Sequence, residues 1–420
     1  MNAQIRQLLR HYSEVYTVFL PLFGIFTIIY ICIHVFAGSD SGYVPGSPGA
    51  LPDVGDADST LEYLHKSLIS IPSITKDEHA ASMFLQSYLT STGWTVEVQE
   101  VSGTPLRENI YAYRGSARQT KVLLTSHVDT VPPYIPYSVH DGLIWGRGSV
   151  DAKASIAAQI TAAQSLLSEG LVEEEGDISL LFVVGEEADG IGMITANELG
   201  VTWESAIFGE PTELKLAKGH KGMLMADLYS KGLASHSGYP ELGINANYFL
   251  IEALYALQHT DFPASDLLGN TTFNAGKISG GVAPNVIAAN ATAALLLRVA
   301  ADMDVVITKL RAAVDAVEHL ELDITLTYDP VVCDYAVPGF DTTVAAYGTD
   351  IPHLRGDHKK YLYGPGSILY AHADNERVGL DELKDSVVGF KKLVTYSLGA
   401  EEDSAESESE SAEKPKLVQQ

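Results

Sequence analysis

The sequence predicts an α/β fold: a mixed, largely parallel sheet flanked by helices, with a smaller α+β domain inserted into it. Three observations lead there. Short apolar runs that end in Gly or polar residues, such as "KVLLTSHVDT" and "ISLLFVVG", read as buried strands. Between these two lies "DAKASIAAQITAAQSLLSEG", with helical apolar spacing, and strand-helix alternation is how parallel strands are connected. From about Gly219 the texture changes to strand-like "MLMADLYSKG", "ATAALLLRVA" and "LDITLTYDP" interleaved with two helical stretches, and the α/β texture then returns.

At 420 residues, 46% apolar and 19% charged, the chain suits two or three domains with sizeable cores. Its formal net charge of −27 argues against nucleic acid as a partner, because phosphate contacts need clustered Lys and Arg.

Taken in order, the first element is "VYTVFLPLFGIFTIIYICIHVFA", Val15 to Ala37, which has no Lys, Arg, Asp or Glu and is long enough to cross a bilayer. Arg6 and Arg10 precede it, while Asp40, Asp53, Asp56 and Asp58 follow, so the rest of the chain is expected in the secretory pathway, on the lumenal or extracellular side. Residues 1–37 thus read as a signal peptide, released near Ala37, or as a signal anchor holding the chain to the membrane through residues 15–37; the sequence leaves both open. Two sequons, Asn270 in "NTT" and Asn290 in "NAT", suit glycosylation after export. Cys333 is the sole cysteine beyond the apolar segment, so no intrachain disulfide is expected there.

Residues 38–58, rich in Gly, Pro, Ser and Asp, read as a flexible linker. Residues 59–218 form the first part of the larger domain: helical "STLEYLHKSLISI" and "DEHAASMFLQSYLTSTG", the alternating strand "WTVEVQEV", then the strands and helix quoted above. Residues 219–330 are the inserted domain, with helices in "INANYFLIEALYALQHT" and "VVITKLRAAVDAVEHL". Residues 331–400 complete the larger domain through "YLYGPGSILYAHADNE" and a last helix, and the acidic tail 401–420 reads as disordered.

Polar groups recur at the ends of apolar strands: His127 and Asp129 in "TSHVDTVPP", Asp151 in "GRGSVDAKAS", Glu186 and Glu187 in "GEEADG", Glu210 in "IFGEPTE" and His372 in "LYAHADNE". Singly, each has an ordinary explanation: His127 a core histidine, Asp151 a helix N-cap, Glu186 and Glu187 a solvated loop pair or first-turn acids, Glu210 a turn residue, His372 a surface histidine. Together, at strand ends where α/β folds place their sites, they form a ligand set suited to zinc, with Co²⁺ or Mn²⁺ as substitutes.

The ordered motifs "SHVDTVPP", "GRGSVDAK", "GEEADG", "GEPTE", "SHSGYPELGINA", "GGVAPNV" and "GPGSILYAHADNE" resemble those of dinuclear zinc metallopeptidases that include acetylornithine deacetylase, succinyl-diaminopimelate desuccinylase, aminoacylase and Gly-Xaa carboxypeptidases. The chain looks most like the secreted fungal carboxypeptidases of that group, over roughly residues 59 to 400. The resemblance implies a zinc-exopeptidase-like sheet with a ferredoxin-like lid and dimerisation domain, and allows a homodimer through that domain. It implies two zinc ions per subunit bridged by Asp151, with His127, Glu187, Glu210 and His372 completing the sites. It further implies Glu186 as general base, Asp129 on the turn after its strand orienting the imidazole of His127, His236 stabilising the oxyanion, often from a partner subunit, and Asn285 and Arg298 holding a substrate carboxylate. Ala152 and Ala154 depart from the family's commoner polar or Met residue and Gly; Ala suits a helix at least as well, so little cost is expected.

The expected activity is that of a metallocarboxypeptidase, cleaving a small peptide next to a free carboxylate. The alternatives are an N-acyl-amino-acid amidohydrolase, which breaks the same bond, and a catalytically silent lumenal metal-binding protein.

Overall fold

The computed structural model describes residues 56–399. The apolar segment 15–37, the linker up to residue 55 and the tail 401–420 lie outside the described residues, among which no helix is long and apolar enough to cross a membrane.

Two helices open the described chain, α1 (Ala57–Ser70) and α2 (His79–Ser91). Asp56, itself in extended conformation, caps α1, its carboxylate accepting the N–H of Asp58 at 3.2 Å, so the helix begins at an Asx cap. The six-stranded sheet follows: β1 (Thr95–Gly103), β2 (Leu106–Tyr113), β3 (Val122–His127), β4 (Ile178–Val183), β5 (Ser205–Gly209) and β10 (Lys359–Tyr363). Their order is β1-β2-β4-β3-β5-β10; β1, β2 and β4 pair antiparallel, and β4, β3, β5 and β10 pair parallel. Helix α3 (Lys153–Ser168) connects β3 to β4, and α6 (Leu380–Ser397) packs beside α3.

The largely apolar runs of β3 and β4 follow from burial on both faces. Leu124, Leu180 and Phe182 face the core shared with the flanking helices, whereas Leu123, Leu181 and Val183 face a second core with Tyr111, Trp203 and Phe208. Inside both strands the polar side chains are small and uncharged, Thr125, Ser126 and Ser179, so charged and ligating groups appear only at the strand termini.

Between β5 and β10 the chain builds a second, antiparallel sheet from β6 (Gly222–Lys231), β7 (Thr272–Gly280), β8 (Asn290–Val299) and β9 (Leu320–Tyr328), in the order β7-β8-β6-β9. Helices α4 (Ala246–Gln258) and α5 (Met303–Asp315) cover one face around Leu224, Leu228, Leu250, Leu297, Val306 and Leu310. Strict alternation along β8 buries Ala291, Ala293, Leu295, Leu297 and Val299 beneath the helices and turns Arg298 to the opposite face.

Gly389 in α6 shows how tightly the helix layer seats on the sheet. A Cβ there would lie 1.9 Å from the Tyr363 hydroxyl and 2.3 Å from Cζ of a ring held edge-on between Phe340 and Phe390. Helix propensity favours Ala over Gly by about 1 kcal/mol, but displacing a packed ring costs about 1–3 kcal/mol. Gly389→Ala is therefore expected to lower the chemical denaturation midpoint, and an unchanged or raised midpoint would show that the helix has room to lift.

Candidate metal centre

Three parallel strands deliver the site from their C-terminal ends, where side chains can leave the apolar layers. His127 is the last residue of β3, the turn Gly185–Asp189 follows β4, and Glu210 follows β5 directly. Asp151 precedes α3, and His372 lies between β10 and α6. Asp151 is not the cap of α3: the N-cap is Ala152, with no side-chain bond to the helix, so the Asp151 carboxylate is free for the site. Glu186 and Glu187 occupy a turn ahead of the short helix Ile191–Ala196 instead of its first turn. Gly185 makes that turn possible, with φ +83° and Arg107 Nη2 2.6 Å from where a Cβ would stand.

The structure brings these groups into two sets that share Asp151. In His127, Asp151 and Glu210, and again in Asp151, Glu187 and His372, the ligand atoms all lie within 4.8 Å of one another. His127 Nε2 is 3.1 Å from Asp151 Oδ1 and 3.7 Å from Glu210 Oε1. His372 Nε2 is 3.2 Å from Asp151 Oδ2 and 2.9 Å from Glu187 Oε2. Zinc bonds of about 2.0–2.2 Å at tetrahedral angles place ligand atoms about 3.3–3.6 Å apart. The donor set and its spacing therefore fit a divalent cation in each set.

Charge points the same way. Burial pushes Glu210 well above the usual carboxylate range; His127 pulls it down, and Asp151, Asp350 and Glu187 push it further up. Glu186 is raised in the same manner by burial, against His127, and by Glu210, Asp350 and Glu187. Hydrogen bonds to Asp151 and Glu187 raise His372 to about 10. Burial alone would depress His127, yet Asp129 and Asp151, then Glu210 and Glu186, hold it well above the imidazole range. The two imidazoles are thus the groups that the surrounding carboxylates favour in positive form, the electrostatic role that cations would fill. His372 adopts φ +63°, a left-handed backbone uncommon outside Gly, which turns its ring toward the cluster.

Asp129 supports the centre by a route that motif reading does not show. The His127 Nδ1–H donates to the Asp129 backbone carbonyl at 3.0 Å, while the Asp129 carboxylate is 3.6 Å from that nitrogen. That carboxylate, fully buried, accepts the backbone N–H groups of Gly185, Glu186 and Glu187 at 2.9, 3.1 and 3.2 Å and the Thr75 hydroxyl at 2.9 Å. One residue thereby positions both the imidazole and the Glu186–Glu187 turn.

Sequence reasoning passed over several contributors. Glu376, buried, pairs with buried Arg147 and accepts the N–H groups of Gly148, Val150 and Asp151 at 2.8, 3.3 and 3.4 Å, tying the Asp151 loop to the His372 loop. Both lie inside quoted motifs, but an acid four residues after His372 has no signature of its own. Asp350, buried and pushed up to about 7 chiefly by desolvation, lines the cavity over the centre from a loop that follows the short strand Thr342–Ala345.

That cavity, of about 220 Å³, is lined by Glu186, Glu187, Asp151 and Glu210 from the large domain and by Arg298 and Tyr328 from the inserted sheet. His236 and Asn285 do not line it. They are exposed neighbours near the Asn290 end of β8, eight residues and roughly 27 Å along the strand from Arg298. The sequon residues Asn270 and Asn290 are both exposed.

Comparison with known proteins shows what the chain and its fold are similar to. A family model described as the M20 peptidase dimerisation domain matches residues 218–320. A peptidase M20 domain-containing protein of Schizosaccharomyces pombe is 51% identical over 368 residues, covering 87% of this chain and 90% of the relative. A protein of Aspergillus niger named a probable carboxypeptidase is 40% identical over 380 residues, covering 81% of this chain and 90% of the relative. Among solved structures, a tripeptidase from Staphylococcus aureus shares the fold with a TM-score of 0.69 at 21% identity, covering 81% of this chain and 99% of its own. An M20 family metallo-carboxypeptidase from Sulfolobus solfataricus shares it with a TM-score of 0.64 at 16% identity, covering 80% and 99%.

The Asp129 clamp gives a direct test. Asp129→Ala strands three backbone N–H groups, each costing about 1–3 kcal/mol, and frees the turn that carries Glu187. Zinc affinity measured by competition with a chelator is expected to fall by about 10–100-fold. Wild-type affinity in this variant would show that the turn holds its shape unaided.

Proposed function

The chain belongs to the M20 peptidase family, and from that premise we propose that it is a zinc-dependent carboxypeptidase with two zinc ions per subunit, cleaving small peptides next to their free carboxylate. The observation that carries the reading is the pair of ligand sets sharing Asp151, with Glu186 beside them but in neither, in a cavity that Arg298 also lines. His127, Asp151 and Glu210 would hold one ion, and Asp151, Glu187 and His372 the other. Bound there, the ions would polarise the scissile carbonyl and acidify the attacking water.

The protein's own groups do the rest. Glu186, kept out of the ligand sets, accepts the proton of the attacking water and returns it to the leaving amine. Asp129 fixes where that carboxylate sits, through the N–H groups of its turn. Arg298 has no carboxylate partner among the described residues; its polar contact is the Met223 sulfur at 3.8 Å, which leaves a guanidinium fork free for a substrate carboxylate.

We further propose a homodimer, with His236 and Asn285 serving the centre of the other copy, since neither reaches the cavity of its own chain. Tyr248, Ile251 and Tyr255 form an exposed apolar stripe on α4, at 62–70% exposure, beside the edge strand β7, and a second copy would cover it. The proposal retains export through residues 15–37, with Asn270 and Asn290 accessible to glycosylation.

Three outcomes test the reading. Zinc-loaded protein is expected to release C-terminal residues from short peptides and to lose this activity on chelation. Glu186→Gln should lower kcat by about 10²–10⁴-fold with zinc content unchanged, whereas near-normal turnover would remove Glu186 from the role. Arg298→Ala should instead raise KM for substrates with a free carboxylate and leave the corresponding amides unaffected; equal effects on both would assign Arg298 a structural task.

A further inference from the structure

The cavity holds one carboxylate that the proposed chemistry does not use. Asp350 is 5% exposed and lines the cavity, yet it belongs to neither ligand set. Its Oδ1 is buried with no hydrogen-bond partner, and no cationic side chain among the described residues forms a salt bridge with it. The positive influence it feels is His127, whose ring already faces Asp151 and Glu210. Asp129 and Asp189 add further negative charge around it. Buried carboxylates in folded proteins are paired or hydrogen-bonded, so an unpaired one facing a cavity is built for something that enters the cavity.

What enters must carry a positive, hydrogen-bonding group. Apart from His372, which already faces Asp151 and Glu187, the cavity's cations sit on or beside the inserted sheet: Arg298 on β8 and Lys221, whose Nζ donates to the Asn270 carbonyl at 2.6 Å. Asp350 and Glu186 come from the large domain. The lining is therefore bipolar, and about 220 Å³ is small for an extended peptide. We propose that Asp350 receives a cationic nitrogen of the substrate, foremost the free α-ammonium of a short peptide. On this view the enzyme selects zwitterionic di- and tripeptides over N-acylated amino acids. The proposal rests on the hydrolase reading above and narrows it to a substrate class; Asp350 acts as a specificity-determining group and takes no part in the proton transfer assigned to Glu186.

The test uses full-length, zinc-loaded wild type and Asp350→Asn on four substrates: Gly-Leu, N-acetyl-Gly-Leu, N-acetyl-Lys-Leu and N-acetyl-norleucyl-Leu. Wild type is expected to prefer Gly-Leu over its acetylated form by at least about tenfold in kcat/KM. Asp350→Asn should erase that preference, mainly through KM, while its zinc content stays at the wild-type level and any change in kcat from removing a charge near Glu186 falls on all four substrates alike. A wild-type preference for N-acetyl-Lys-Leu over the norleucine substrate, lost in the variant, would identify a side-chain ammonium as the partner and support the same role. Preference for the acetylated forms without discrimination between Lys and norleucine, an equal loss on all four substrates that leaves the preference intact, or loss of zinc would overturn the proposal and leave the hydrolase reading standing. If wild type cleaves none of the four, the hydrolase reading falls first and takes this proposal with it.

Discussion

Everything in this molecule is arranged around an electrostatic problem: Asp151, Glu186, Glu187, Glu210 and Asp350 converge on one cavity wall with His127 and His372 as the nearby positive partners. Carboxylates gathered this closely repel one another and lose hydration. Divalent cations remove both penalties, since each replaces lost water with direct ligation and reverses the sign of the local field. Such an arrangement is costly for a merely structural role, and the chain retains it at the edge of a well-packed sheet.

The fold carries that cost through two clamps made from further acids. Asp129 draws the Gly185–Glu187 turn toward β3, and Glu376 draws the Gly148–Asp151 loop toward the His372 segment. Each is itself held: Asp129 by Thr75, Glu376 by Arg147. Lys153, buried two residues beyond Asp151, donates to the carbonyls of Leu68 and Ile71 at 2.9 Å and so pins the start of α3 to the end of α1. Ligand positions are thus set by backbone N–H groups and helix ends, which move less than side chains do.

Much of this was legible in the sequence because apolar strands signal where they stop. The runs ending at His127, Gly185 and Gly209 place their polar successors at one sheet edge, and α3, α4, α5 and α6 follow from apolar spacing with clear endings. The strands β2 and β7 carried weaker signals. "LRENIYAY" buries Arg107, Glu108 and Asn109 through tertiary partners such as Glu78, and "TFNAGKISG" is a Gly-containing strand on a sheet edge. Asp350 was illegible for a different reason: its meaning lies in having no partner, which only the assembled cavity reveals. The same holds for Asp129, whose carboxylate spans 56 to 58 positions of chain to reach the turn it holds.

The inserted sheet completes the cavity with Arg298 while keeping His236 and Asn285 at its far end, away from the cavity of their own chain. The central claim concerns the cations, and anomalous diffraction at the zinc edge tests it most directly. Crystals grown with zinc should show two peaks per chain, one among His127, Asp151 and Glu210 and one among Asp151, Glu187 and His372. No density at these positions, or zinc bound elsewhere with this cluster left as it stands, would contradict the account.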